Sequence, residues 1–287
     1  MGMVKTVGLV LHPGRNCDSA MFTILSWASG RGVTVLALDG EASRVPSQVD
    51  EVTADDLAQR SDLMVSLGGD GTMLRAMRLS CGPRPPVLGV NVGKLGFLAE
   101  IDPPEVGDAL EAIDSHRFTV EPRSAVQADF LGGQHVAFND VDLARIPGHG
   151  SSAVVELTVE SHPFVRYAAD AVIVATPTGS TAYNFSAGGP LVSPNAEGLL
   201  VTPAAPHSAF NRALFLSAAE RLMLTVLPTS GELAVEADGI VVGHVNPGDT
   251  VQLRTLPAAA QVVRLGRTTF YQRAQRKLRL TGSAEAY

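Results

Sequence analysis

The chain has 287 residues, 45% hydrophobic and 18% charged, the balance of a soluble globular protein with room for two domains and a sizeable core. Its 22 Lys and Arg stand against 29 Asp and Glu, and a net charge of -7 excludes a general nucleic-acid binder, which needs a basic stripe to neutralise phosphates. Two cysteines, Cys17 and Cys81, give neither a disulfide framework nor metal-site spacing, so a reducing cytoplasm is the expected location.

The first apolar run, after Lys5, is too short for a signal peptide, and no stretch reaches membrane-spanning length, so no membrane partner is expected. Met1, Gly2 and Thr6 formally fit a myristoylation pattern, but the segment reads better as the first core strand. Residues 7–11 read as a strand, 19–29 as a helix ended by Gly30 and Gly32, and 33–38 as the next strand. Residues 39–53 read as a loop, with Thr53 capping a short helix over 54–59.

The stretch 62–77 organises the rest. Residues 63–67 are a short apolar run suited to a buried parallel strand, and 72–79 space their apolar residues as an amphipathic helix. Gly68-Gly69-Asp70-Gly71-Thr72 is then a strand-to-helix turn, where glycines admit a bulky anion and the helix N-terminus favours phosphate. A carboxylate in such a turn would repel phosphate unless it holds a metal or accepts a proton from an attacking hydroxyl. Phosphoryl transfer is the expected chemistry; an ordinary glycine-rich turn is the alternative. Residues 87–90 form one more strand after a proline-rich break at 83–86, and Asn91 ends it as Gly71 ends the earlier unit. Alternating strands and helices imply an α/β fold: an N-terminal doubly wound, Rossmann-like domain that binds ligands at the carboxyl ends of its strands.

After about residue 121 the pattern changes to many short Val- and Leu-rich runs, among them 154–159, 171–175, 222–227 and 251–256, which indicates a mainly β C-terminal domain. The expected division is 1–120, 121–265 and a C-terminal segment 266–287, basic and amphipathic over 268–280, packing back on the first domain. Within the β domain, 176–186 concentrates hydroxyls around Gly179 and Tyr183. Such a loop suits a sugar and its phosphates, with Tyr183 offering a flat face to a base, or else is a tight turn capping the next helix. The Gly93-Lys94 pair lacks Walker A spacing, no dinucleotide fingerprint is present, and Ser180 lacks the glycine of a nucleophile elbow. His149 and His207 stand isolated.

Taken in order, the Gly68-Gly69-Asp70-Gly71-Thr72 turn, Asn91-Val92-Gly93-Lys94-Leu95-Gly96-Phe97-Leu98, Asn139-Asp140, Thr176-Pro177-Thr178-Gly179-Ser180-Thr181-Ala182-Tyr183 and Ser186-Ala187-Gly188-Gly189-Pro190 resemble the NAD kinase family. Pro206-His207-Ser208 and Ala237-Asp238-Gly239 extend the likeness over nearly the whole chain. The resemblance implies a kinase dependent on ATP and Mg²⁺, and a homodimer or homotetramer, that phosphorylates the ribose 2′-hydroxyl of NAD. On this likeness Asp70 is the base and Gly71 lies against the substrate, with Gly68, Gly69 and Thr72 binding phosphate and Arg75 helping to neutralise it. Asn139 and Asp140 would hold ribose hydroxyls, and Asp170, Thr181, Ala182, Tyr183 and Ser186 would contact the rest of the dinucleotide; no residue is assigned to a metal.

Three positions depart from the family pattern: Asp140 stands where Glu is usual, Ala171 where Gly is usual, and Ile240 where a polar residue is common. All fall on the acceptor side. The acceptor is therefore NAD or another ribonucleotide of a specialised pathway, and a non-catalytic nucleotide-binding protein is a third reading.

Overall fold

The computed structural model describes residues 3–82, 85–93, 96–148 and 152–280. Met1, Gly2, Lys94, Leu95 and His149, named above, lie outside the described residues. The chain forms two compact units, Met1–Pro122 with Ala260–Tyr287, and Arg123–Ala259.

The first unit runs β1 (Thr6–Leu11), α1 (Asp18–Ser29), β2 (Thr34–Leu38), β3 (Asp50–Val52), α2 (Ala54–Arg60), β4 (Leu63–Gly68), α3 (Asp70–Ser80), β5 (Val87–Asn91) and α4 (Val106–Asp114). Every residue of β4 and β5 is buried, as in a parallel sheet covered on both faces. Helix α1 packs beside α4, and α2 beside α3. The Thr53 hydroxyl accepts the Asp56 N–H at 3.2 Å, the expected cap of α2, worth about 1 kcal/mol.

Two features lie outside the elements expected above. The stretch expected as a loop contains a 3₁₀ turn, Asp39–Arg44, and the edge strand β3, whose residues are mostly exposed and so carry no apolar pattern. Helix α4 buries Val106, Ala109, Leu110 and Ile113, and a reciprocal cap between Asp102 and Glu105 precedes it.

Strand β6 (Thr119–Phe130) leads into the second unit, followed by β7 (Gly133–Ala137), β8 (Asp140–Arg145), β9 (Ala153–Val159), β10 (His162–Ala169), β11 (Ala171–Ala175), the single turn α5 (Tyr183–Ser186), β12 (Gly198–Ala204), β13 (Leu214–Ser217), β14 (Leu222–Val226), β15 (Leu233–Ala237) and β16 (Ile240–Val245). A six-stranded sheet has the order β13-β12-β11-β8-β15-β16, and all its pairings are antiparallel. Strand β9 pairs antiparallel with β10 on one side and β14 on the other, and β14 pairs antiparallel with the start of β17 (Thr250–Arg264). Val141 and Leu143 of β8 and Val172 and Val174 of β11 enter the core of this unit. By strand alternation Asp140, Asp142, Ile173 and Ala175 lie on the opposite face, with Ile173 across from Asp142 and Ala175 across from Asp140.

The end of β17 and α6 (Phe270–Leu278) belong to the first unit. Val262 pairs parallel with Val87, which gives the order β17-β5-β4-β1-β2-β3. The chain leaves β3 at one edge and returns to β4 beside β1. The sheet therefore has its switch point between β1 and β4, where Rossmann-like sheets open a crevice for ligands. Gly68 ends β4 there.

Candidate active site

The turn is tighter than its sequence suggests: β4 runs through Gly68 and α3 begins at Asp70, so Gly69 alone separates strand from helix. A methyl on Gly68 would sit 2.1 Å from Thr72 Oγ1, so glycine is needed for Thr72 to tuck its buried hydroxyl beneath the turn. The Thr72 N–H donates to the Gly69 carbonyl at 3.1 Å. A methyl on Gly71 would meet nothing within 4 Å, and one on Gly69 only Arg15 Nη1 at 3.6 Å. No side chain caps the helix start, which leaves its N-terminal end open in the arrangement that takes a phosphate.

Asp70 is held by backbone from another segment of the same unit. Its Oδ2 accepts the Phe97 N–H at 2.9 Å and its Oδ1 the Leu98 N–H at 3.0 Å. A methyl on Gly96 would fall 2.1 Å from Oδ1, so that glycine admits the carboxylate to the segment. Lys277 Nζ of α6 donates to Oδ2 at 3.3 Å.

Cations surround the carboxyl ends of β1 and β4. Burial lowers the pKa of His12, with Arg15, Arg44 and Arg75 adding to the effect, and its Nδ1 accepts the N–H groups of Gly14 and Arg15 at 3.0 and 3.1 Å. Arg15 donates to the Val92 carbonyl. Arg75 is committed inward: it pairs with buried Glu41 and donates to the Leu11 carbonyl at 3.1 Å. Its charge contributes to the field of the turn while its Nη2 donors are engaged by protein. Asn91, paired in register with Gly68, keeps a buried Oδ1 with no hydrogen-bond partner, while its amide nitrogen donates to Asp102 at 3.1 Å.

The second unit assembles a different site. The Thr176 N–H donates to the Asn139 carbonyl at 2.8 Å, and a methyl on Gly179 would lie 2.0 Å from that same oxygen, so only glycine lets the two segments meet. Asp238, in the left-handed region at φ 50°, accepts the Asn139 N–H at 2.7 Å. Thr178 Oγ1 accepts from buried Arg123 at 3.2 Å. Fully buried Asn184 ties the 176–190 block together: it donates to the Ser180 and Pro190 carbonyls at 3.1 Å and accepts from Thr202 at 2.7 Å.

Beside this block lies an acidic face. Asp140 and Asp142 are buried, each with one carboxylate oxygen unpartnered, and Glu236 stands opposite Asp142 in register. Burial, then Asp238 and Glu236, push the Asp140 carboxyl up to about 7, against a smaller opposing effect of the Tyr183 N–H. Burial, then Glu236 and Asp140, push Asp142 up to about 8. The Tyr183 phenol is also raised, first by burial and then by the charges of Asp142, Glu236, Asp170 and Asp140. Asp170 heads β11 and pairs with Arg145 at 2.6 Å; Thr181 and Ala182 are half-buried, and Ser186 is exposed.

Residues 7–118 match the family model of the ATP-NAD kinase N-terminal domain, and residues 138–265 that of the ATP-NAD kinase C-terminal domain. The chain is 37% identical to NAD kinase 1 of Streptomyces avermitilis, over 99% of this chain and 89% of that protein. The chain belongs to the NAD kinase family. It is also 32% identical to the NAD kinase of Desulforamulus reducens, over 96% of this chain and 98% of that protein. An Archaeoglobus fulgidus NAD kinase solved in complex with ATP is 25% identical with a TM-score of 0.73, covering 96% of this chain and 98% of that one. A yeast NADH kinase complexed with NADH shares the fold, at 24% identity and a TM-score of 0.85, over 98% of this chain and 89% of that one.

Within this family fold, several site residues escaped sequence reasoning. Asp142 lies in a run, Asp140-Val141-Asp142, whose period-two alternation announces two acids on one face. Asn184 is embedded in the recognised block, and only its burial shows its structural role. Glu100, buried with Arg273 at 2.6 Å and Arg264 at 3.1 Å, anchors the segment that holds Asp70. Removing one partner of such a buried pair costs about 3–5 kcal/mol. No local motif connects residue 100 to residue 273.

Proposed function

We propose that the protein transfers the γ-phosphoryl group of ATP to the ribose 2′-hydroxyl of NAD, giving NADP and ADP. The observation that carries this reading is the Asp70 carboxylate, fixed at the start of a phosphate-binding turn in a chain of this family. The Asp70 carboxylate takes the hydroxyl proton as the acceptor oxygen bonds to the γ-phosphorus, and the bond to the β–γ bridging oxygen breaks with its electron pair leaving on ADP. The bare backbone at Gly69 and Gly71 takes the phosphates, and Arg15, Arg44 and Arg75 supply the surrounding positive field.

Asn139, Asp140, Asp170 and the 181–186 turn bind the acceptor, with Tyr183 against a base. Asp140 and Asp142 add unpartnered buried oxygens that accept from ribose or amide donors. Among the described residues no group of three His, Cys, Asp or Glu side chains forms a metal cage. Magnesium carried by a triphosphate needs few protein ligands, and the orphaned Asn91 Oδ1 is an oxygen of the kind it takes. That ion would neutralise phosphate charge.

Two free cysteines suit a reducing cytoplasm. Among the described residues no helix is long and apolar enough to cross a membrane. A homodimer or homotetramer is supported by apolar side chains exposed on both edge strands of the six-stranded sheet, Phe215 on β13 and Val241 on β16.

Incubation with ATP, Mg²⁺ and separate NAD, NADH and mononucleotide acceptors, followed by mass spectrometry, tests the reading. NAD gaining one phosphate that supports an NADP-specific dehydrogenase is the expected outcome. Phosphorylation of another nucleotide with NAD untouched would make the acidic face a site for a different acceptor.

A further inference from the structure

We infer that Lys277, on the C-terminal helix α6, is a positioning residue for Asp70 that decides which carboxylate oxygen acts as the base. The inference rests on the kinase reading above. An ionised carboxylate has about four acceptor positions, two on each oxygen. The Phe97 N–H and Lys277 Nζ fill those of Oδ2, at 2.9 and 3.3 Å, and the Leu98 N–H fills one on Oδ1, at 3.0 Å. One acceptor position on Oδ1 remains for the hydroxyl proton.

The lysine is itself held in place. Its Nζ lies 4.4 Å from the centroid of the Phe97 ring, a cation–π contact, and Phe97 in turn meets Phe270 of the same helix with centroids 6.5 Å apart. One turn before Lys277, buried Arg273 bonds Glu100 at 2.6 Å and the Phe97 carbonyl at 3.3 Å. Helix α6 therefore grips the strip that supplies the two N–H groups and adds the third donor from its own face. The basic groups around the turn include Lys277 from α6, His12 and Arg15 after β1, Arg44 from the 3₁₀ turn and Arg75 from α3, the last paired with the acid Glu41. Lys277 bonds the Asp70 carboxylate directly.

The test compares wild type with Lys277→Met and Lys277→Arg for NADP formation, with melting temperature measured in parallel. Lys277→Met should lower kcat by about 10- to 100-fold, the worth of a charge-assisted hydrogen bond, with KM for both substrates within about twofold. Lys277→Arg should restore most of that loss. Amide hydrogen exchange at Phe97 and Leu98 should quicken in Lys277→Met and not in Lys277→Arg, a readout independent of turnover. An unchanged or higher kcat in Lys277→Met, equal losses in both variants, a rise confined to KM for ATP, or unaltered exchange would each overturn the assignment. Wild type that makes no NADP would sink the kinase reading instead, while the exchange data still decide whether Lys277 holds Asp70.

Discussion

The turn at Gly68–Thr72 and the acidic face around Tyr183 are both built on strand ends, yet they solve opposite electrostatic problems. At the turn the single carboxylate is held by three donors, two backbone N–H groups and an ammonium, with one acceptor position left on Oδ1, and arginines gather nearby. On the face of the six-stranded sheet, acids are buried against one another and two of them keep unpartnered oxygens. A preorganised carboxylate can take a proton without rearrangement, which suits chemistry. Unsatisfied buried acceptors gain most from a ligand's donors, which suits choice of ligand.

The largest effect should come from the turn. Asp70→Asn keeps the size of the side chain and removes the proton acceptor, so kcat should fall by about 10² to 10⁴, the usual worth of a general base. The fold should be retained and melting lowered by a few degrees, because the new amide NH₂ cannot accept the Phe97 or Leu98 N–H. Steady-state assays and calorimetry check this, and full activity would remove Asp70 from the mechanism.

Next is the joint beneath the acceptor site. In Gly179→Ala the new methyl would lie 2.0 Å from the Asn139 carbonyl oxygen, a backbone atom that no side-chain rotation can move. The variant should lose about 1–3 kcal/mol of stability and bind NAD more weakly. Chemical denaturation and KM for NAD test it; a variant melting like wild type would mean that the two segments part without cost.

The acidic face predicts a pH effect. Asp140 and Asp142 are raised from 3.8 to about 7 and about 8, so each keeps its proton when folded at pH values where the unfolded chain has released it. Their contribution to stability is fully present below about pH 4 and is lost as pH rises through 7 to 8. Ligand-free protein should melt at lower temperature at pH 8.5 than at pH 6, and Asp142→Asn should flatten the profile. At pH 8.5 that variant should gain about 5 °C, equivalent to roughly 1–2 kcal/mol. A melting profile as steep as wild type would show that Asp142 is already ionised at pH 6.

The smallest change is expected at Ile240, which starts an edge strand and is 55% exposed. Ile240→Gln should alter stability by less than about 0.5 kcal/mol and KM for NAD by less than about threefold. A tenfold change in KM would place that side chain in the acceptor site.

How far each region could be read from sequence follows from where its information lies. The turn is local: an apolar run, glycines and an amphipathic helix sit within sixteen consecutive residues, so strand, turn and helix were all legible. What fixes its carboxylate is remote, since Phe97, Leu98 and Lys277 join Asp70 only through the fold. The acidic face was half legible. The family pattern marks Asn139, Asp140 and the 176–190 block, whereas Asp142 and Glu236 become neighbours through the β8–β15 register, which no single segment encodes. Arg75, assigned by the family likeness to neutralise phosphate, has a partner that no local pattern announces: its Nη2 pairs with buried Glu41, from a stretch expected as plain loop.

The division of labour between turn and face is tested most directly by steady-state kinetics with NAD on wild type, Asp70→Asn and Asp142→Asn in one assay. Asp70→Asn should lose kcat with KM for NAD nearly unchanged, and Asp142→Asn should change KM for NAD by about three- to tenfold with kcat nearly unchanged, the worth of a hydrogen bond to a neutral carboxyl. A fall in kcat for Asp142→Asn as large as that for Asp70→Asn, with KM preserved, would contradict the account.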